Sequence, residues 1–145
     1  MLGKAISLVA QAFENAKDKG GQPYILHCLR VMDNLHTDDE ELKIIAIFHD
    51  YIEDIFKDNP EKGLMFLSEA GFSRRVVQAV NLLTHRKETP YDDYIKAISF
   101  NADATKVKLA DLKDNSDITR LKGLTKKDFD RMEKYHRSYV YLSKI

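Results

Sequence analysis

A single cysteine, Cys28, stands among 145 residues. One thiol excludes an intrachain disulfide and any metal knuckle built from paired cysteines. It fits a reducing compartment, so a cytoplasmic location is expected. Charge of one sign is also missing, because 23 basic and 23 acidic side chains cancel. That balance excludes broad nucleic-acid binding, which draws on an excess of positive charge, and leaves room only for a local basic pocket. No apolar run approaches the roughly 20 residues of a membrane-spanning helix. The opening stretch MLGKAISLVAQAFENAK meets charges too early for a signal peptide. A strand pattern, an internal repeat and a domain linker are all lacking, so residues 1–145 are expected to form one domain.

What is present reads as helix. KAISLVAQAFENAK carries Ile6, Val9, Ala10 and Phe13 at three-four spacing. Gly20 and Gly21 stop that helix, and Pro23 suits the first turn of the next, PYILHCLRVMDNL. TDDEELKIIAIFHDYIEDIF is expected as one helix capped by Thr37 or Asp38. After the separator DNPEKG come a short helix LMFLSEAG, then RRVVQAVNLLTH capped by Ser73. YDDYIKAISF, ADATKVKLADLKDN and KKDFDRMEKYHRSYVYL complete the series. The expected fold is an all-α bundle of about seven or eight helices.

Within this pattern the stretch IFHDYIEDIF places His49, Asp50, Glu53 and Asp54 among isoleucines and a phenylalanine. Carboxylates in such a setting are costly unless something cationic holds them. His27 lies among apolar residues of another helix. Asp111 shares a helical stripe with Ala104, Val107 and Asn115, so it continues an apolar face. Two imidazoles and two carboxylates make a mixed nitrogen and oxygen donor set. His27, His49, Asp50 and Asp111 thus suit a divalent first-row ion with positions left open for water and phosphate.

The ordered set His27, His49–Asp50 and Asp111 resembles the pattern of HD-domain metal-dependent phosphohydrolases. DKGGQPYILHCLRVM, AIFHDYIED and KVKLADLKDN are similar to the hydrolase domain of RelA/SpoT proteins and their stand-alone small alarmone hydrolases. Those enzymes remove the 3′-pyrophosphate of guanosine tetra- or pentaphosphate (ppGpp and its relative) using manganese. The resemblance implies an Mn²⁺ site, or one for another divalent first-row ion, at His27, His49, Asp50 and Asp111. It implies that Glu53 and Asp54 orient and deprotonate the attacking water. Asn115 matches a nucleotide-contacting asparagine, and Lys19 with neighbouring Tyr24 falls where the family contacts substrate. Three positions depart from the pattern: Cys28 where proline is frequent, LKDN after Asp111, and Asp18 where long members carry arginine.

Two further readings keep the same residues. One is an HD phosphohydrolase for a nucleoside monophosphate or another alarmone. The other is a metal- and nucleotide-binding sensor without turnover, for which Glu53 and Asp54 have no use. His85, Arg86 and Lys87 read as a phosphate-binding cluster or as a cation-rich helix end, and Thr84 as a residue facing the pocket. His36 and His136 read as surface residues and Cys28 as a small buried one. The tyrosines of YHRSYVY read as packing residues or as a surface for a second copy of the chain.

Overall fold

A computed structural model describes residues 1–145. The chain is all-helical: α1 (Leu2–Ala12), α2 (Ile25–Asp33), α3 (Glu40–Phe48), α4 (Tyr51–Ile55), α5 (Pro60–Glu69), α6 (Arg74–Leu83), α7 (Tyr91–Ile98), α8 (Ala102–Asn115) and α9 (Lys126–Ser143). A 3₁₀ turn, Ile118–Arg120, joins the last two. Every expected helix forms, and the third is divided in two. No helix is long and apolar enough to cross a membrane.

Short polar side chains start five of the nine helices by accepting orphan backbone N–H groups. Ser73 accepts from Val76, as expected, and Asn101 from Ala104. Thr125 and Asp128 form a reciprocal capping box on α9. Some boundaries differ from the expectation. α1 ends at Ala12 rather than at Lys17, and residues 13–24 form a loop in which Lys17 pairs with Pro23. The cap of α3 is Asp39, while Thr37 accepts from the Asp39 N–H instead. DNPEKG is not a separator: Asn59 caps α5 and Pro60 occupies its first turn, where the missing N–H costs nothing.

α3 is the centre of the bundle. Ile44, Ile45, Ala46, Ile47 and Phe48 are buried in succession, so this helix has no solvent stripe in its second half. It packs against α1, α2, α6 and α8. Each buried isoleucine or phenylalanine contributes about 1.5–3 kcal/mol of burial free energy. The buried apolar residues form one contiguous cluster. Three of the helices around α3 deliver polar residues to the site: α2, α4 and α8.

α4 is held down by α5 at Gly63. A Cβ there would lie 2.7 Å from Ile52 Cδ1 and 2.7 Å from the Phe56 ring. Alanine normally favours a helix interior over glycine by about 1 kcal/mol. Here overpacking outweighs that gain, so Gly63→Ala is expected to destabilise the fold by about 1–3 kcal/mol. The urea midpoint checks it; a variant more stable than wild type would show that α4 and α5 are not in close contact.

Candidate metal and nucleotide site

The expected continuous helix is broken at His49–Asp50. His49 ends α3 with its N–H on the Ala46 carbonyl at 3.3 Å, a tightened last turn, and Asp50 begins α4. On a continuous helix neighbouring side chains diverge by about 100°. In this turn they converge, with His49 Nε2 2.9 Å from Asp50 Oδ2. His27 comes from α2 and Asp111 from α8. His27 Nε2 lies 3.2 Å from His49 Nε2 and 3.1 Å from Asp111 Oδ1. One ligand atom from each of these four residues lies within 4.8 Å of all the others.

Both imidazoles are fixed from behind. His27 Nδ1 donates to Asp114 at 2.7 Å, and His49 Nδ1 to the Ala46 carbonyl at 2.7 Å. Each ring therefore turns its Nε2 toward the other and toward two carboxylate oxygens. Four electron-rich atoms facing one point require a cation between them, a proton or a metal ion. Without a metal the carboxylates favour protonated imidazoles: against the desolvation of burial, Asp50 and Asp111 raise His49 well above its ordinary range. His27 is raised too, by Asp111 and Asp114 against the same desolvation. Ligands about 2.1 Å from one octahedral ion sit roughly 3 Å apart when adjacent and about 4.2 Å when opposite. The separations between imidazole nitrogens and carboxylate oxygens, 2.9 to 3.8 Å, match that scale, so the donor set fits a divalent ion.

The carboxylates are also held. The Tyr24 hydroxyl donates to Asp50 Oδ2. Asn115 Nδ2 donates to Asp111 Oδ1 at 3.0 Å, and Lys108 Nζ takes Asp111 Oδ2 at 2.8 Å. With Oδ2 occupied by Lys108, Asp111 presents only Oδ1 to the cluster. Although burial opposes ionisation of Asp111, Lys108 and His49 hold its carboxyl well below the usual range.

The cluster lies at one side of a cavity of about 510 Å³. Glu53 and Asp54, on α4, line it. The His85 backbone N–H donates to Glu53 Oε1 at 2.8 Å and fixes that carboxylate. Asp54 reaches solvent, yet partial burial and the nearby charges of Asp50 and Glu53 push its carboxyl up to about 7. Lys19, Tyr24 and Asn115 also line this cavity, so the nine residues given ligand, catalytic or substrate roles by the resemblance all border it or its ligand cluster.

Other expectations fare differently. The basic run after α6 separates: His85 lines the cavity and stacks on Tyr94 at 4.6 Å, while Arg86 binds Glu61 and the carbonyls of Asn81 and Thr84 at the end of α6. Lys87 is exposed. Thr84 does not face the cavity; its hydroxyl donates to the Val80 carbonyl. Cys28 is buried, and His36 and His136 are exposed. The sequence reading missed Asp114 behind His27. Its signal was the three-residue step from Asp111, which keeps both acids on neighbouring faces of α8. It also missed the basic wall from α9, where Arg131, Lys134 and Tyr135 line the cavity. Nothing local separates those residues from an ordinary solvated helix face.

This chain belongs to the HD domain family, whose model matches residues 24–131. Lys19 falls just outside that match. A solved structure of a metazoan ortholog of SpoT, described as hydrolysing ppGpp and playing a role in starvation responses, has the same fold. The TM-score is 0.72 and the identity 22%, over 97% of this chain and 84% of that one. A search of curated proteins gives no match.

Asp114 is the most heavily used carboxylate behind the site, bonded to His27, Arg30 and Arg120. Burial pushes its carboxyl up, but His27 and Arg30 more than offset this and bring it from 3.8 down to about 2. A lowered folded-state value means stability that is full above about pH 4 and is lost as pH falls through about 2. Asp114→Asn is therefore expected to lose about 2 kcal/mol at neutral pH, with the difference from wild type closing as the solution is acidified. Denaturation of the metal-free protein across pH checks this; a pH-independent difference would contradict it.

Proposed function

We propose that the chain is a metal-dependent nucleotide pyrophosphohydrolase that converts guanosine 3′,5′-bis(diphosphate), ppGpp, to GDP and pyrophosphate. The observation that carries this reading is the convergence of four ligand atoms beside an acidic pair, in a cavity that basic side chains also line. His27, His49, Asp50 and Asp111 would hold the ion, with Mn²⁺ the proposed occupant among divalent first-row metals. When bound, that ion supplies Lewis acidity toward water and phosphoryl oxygens.

The remaining work falls to side chains. Glu53, fixed by the His85 N–H, orients the attacking water. Asp54, with a carboxyl near neutrality, accepts its proton. The water oxygen bonds to phosphorus as the bond to the ribose 3′-oxygen breaks, the proton taken up by Asp54 passes to that oxygen, and GDP and pyrophosphate separate. Lys19, Tyr24 and Asn115 contact the nucleotide; Asn115 spends an amide hydrogen on Asp111 and keeps its carbonyl oxygen for the ligand. Arg131 and Lys134 line the same cavity and add positive charge to it. The overall neutral charge supports a small-molecule substrate over a nucleic acid, and the lone buried thiol suits a cytoplasmic enzyme.

Incubation of the pure protein with ppGpp and Mn²⁺ is expected to release pyrophosphate, and a chelator to stop it. Glu53→Gln and Asp54→Asn are each expected to lower kcat by about 10²–10⁴ while Mn²⁺ still raises the melting temperature. Asp111→Asn is expected to lose both effects. Turnover of a nucleoside monophosphate or another alarmone in place of ppGpp would move the assignment to that substrate. Metal and nucleotide binding without turnover would make the chain a sensor.

A further inference from the structure

Lys108 is an unusual cation. Its side chain is 12% exposed, and it is the one lysine or arginine in ion-pair contact with a ligand carboxylate, Asp111. An ammonium has three donors. One goes to Asp111 Oδ2 at 2.8 Å, and the Tyr94 ring lies 5.3 Å away on another side. At least one donor is left without a protein acceptor, on a residue that lines the cavity. The second observation is independent of the first. Tyr91, on α7, lines the same cavity, and its enclosed hydroxyl has no hydrogen-bond partner. An unsatisfied buried donor is a standing cost to the fold. Lys134 lies over the Tyr91 ring at 4.5 Å, which adds positive charge to this corner.

We propose that Lys108 and Tyr91 form an anion subsite next to the ligand cluster, which takes phosphoryl oxygens of the pyrophosphate group being removed. The proposal rests on the hydrolase reading and adds to it the residues that hold the leaving pyrophosphate. The need for such a subsite is electrostatic. Asp50, Glu53, Asp54 and Asp111 bring four carboxylates to this end of the cavity, more negative charge than one divalent ion offsets even with Asp54 partly protonated. A polyphosphate entering there meets net repulsion unless a fixed cation lies alongside. Lys108 is placed to supply it, and Tyr91 adds a neutral donor that brings no desolvation penalty of its own charge.

Inorganic phosphate is the probe, titrated into Mn²⁺-loaded protein and followed by paramagnetic broadening of its ³¹P resonance. Lys108→Met is expected to weaken phosphate binding about tenfold or more, and Tyr91→Phe about threefold. Mn²⁺ affinity, read by electron paramagnetic resonance, is expected to change less than threefold in both. Unchanged phosphate affinity in either variant overturns the proposal, as does absence of phosphate binding to wild type. A Lys108→Met loss matched by an equal loss of Mn²⁺ affinity also overturns it, because Lys108 then does no more than orient Asp111. Should Lys108→Met not fold, Tyr91→Phe decides alone, since it removes one oxygen that has no partner. Failure to release pyrophosphate from ppGpp would overturn the substrate assignment and leave the phosphate titration standing.

Discussion

Two imidazole nitrogens 3.2 Å apart, both facing the same two carboxylates, are stable only around positive charge. Much of the molecule can be traced to that constraint. The four residues come from three places in the chain, and each is tied from behind by a neighbouring group. Asp114 and the Ala46 carbonyl set the tautomers of His27 and His49. Tyr24 holds Asp50, while Lys108 and Asn115 divide the two oxygens of Asp111 between them. Such outer partners orient metal ligands before any ion arrives.

The bundle serves this arrangement by burying α3 almost completely. An apolar helix at the centre gives α2, α6 and α8 a common surface, and so fixes the distance between His27 and Asp111. The break between α3 and α4 then does what a continuous helix cannot. It brings His49 and Asp50 together, and α4 follows with Glu53 and Asp54 at the cavity. Gly63 lets α5 press close enough to hold α4 there.

The helices were legible in the sequence because their apolar spacing is regular and their caps are chemically distinct, as Ser73 shows. Boundaries were less so. Asn59–Pro60 reads equally as a loop or as a helix start, and only packing of Leu64 and Leu67 decides it. The break at His49–Asp50 has no glycine or proline to mark it; it follows from tertiary demands on the two side chains. The ligand set was legible because histidines and aspartates on apolar faces need an explanation. Asp114 was not, since an acid beside lysine on a helix is ordinary until its partners from α2 are known. The basic wall from α9 escaped for the same reason: charges on an amphipathic helix look solvated whichever side they face.

The most direct test of this account is the coordination of the ion itself. Pulsed electron paramagnetic resonance of the protein with one equivalent of Mn²⁺ is expected to show two imidazole nitrogens bound to the metal, with one coupling lost in His27→Ala and one in His49→Ala. A signal without nitrogen coupling, or one unchanged by both substitutions, would contradict it and place the metal elsewhere.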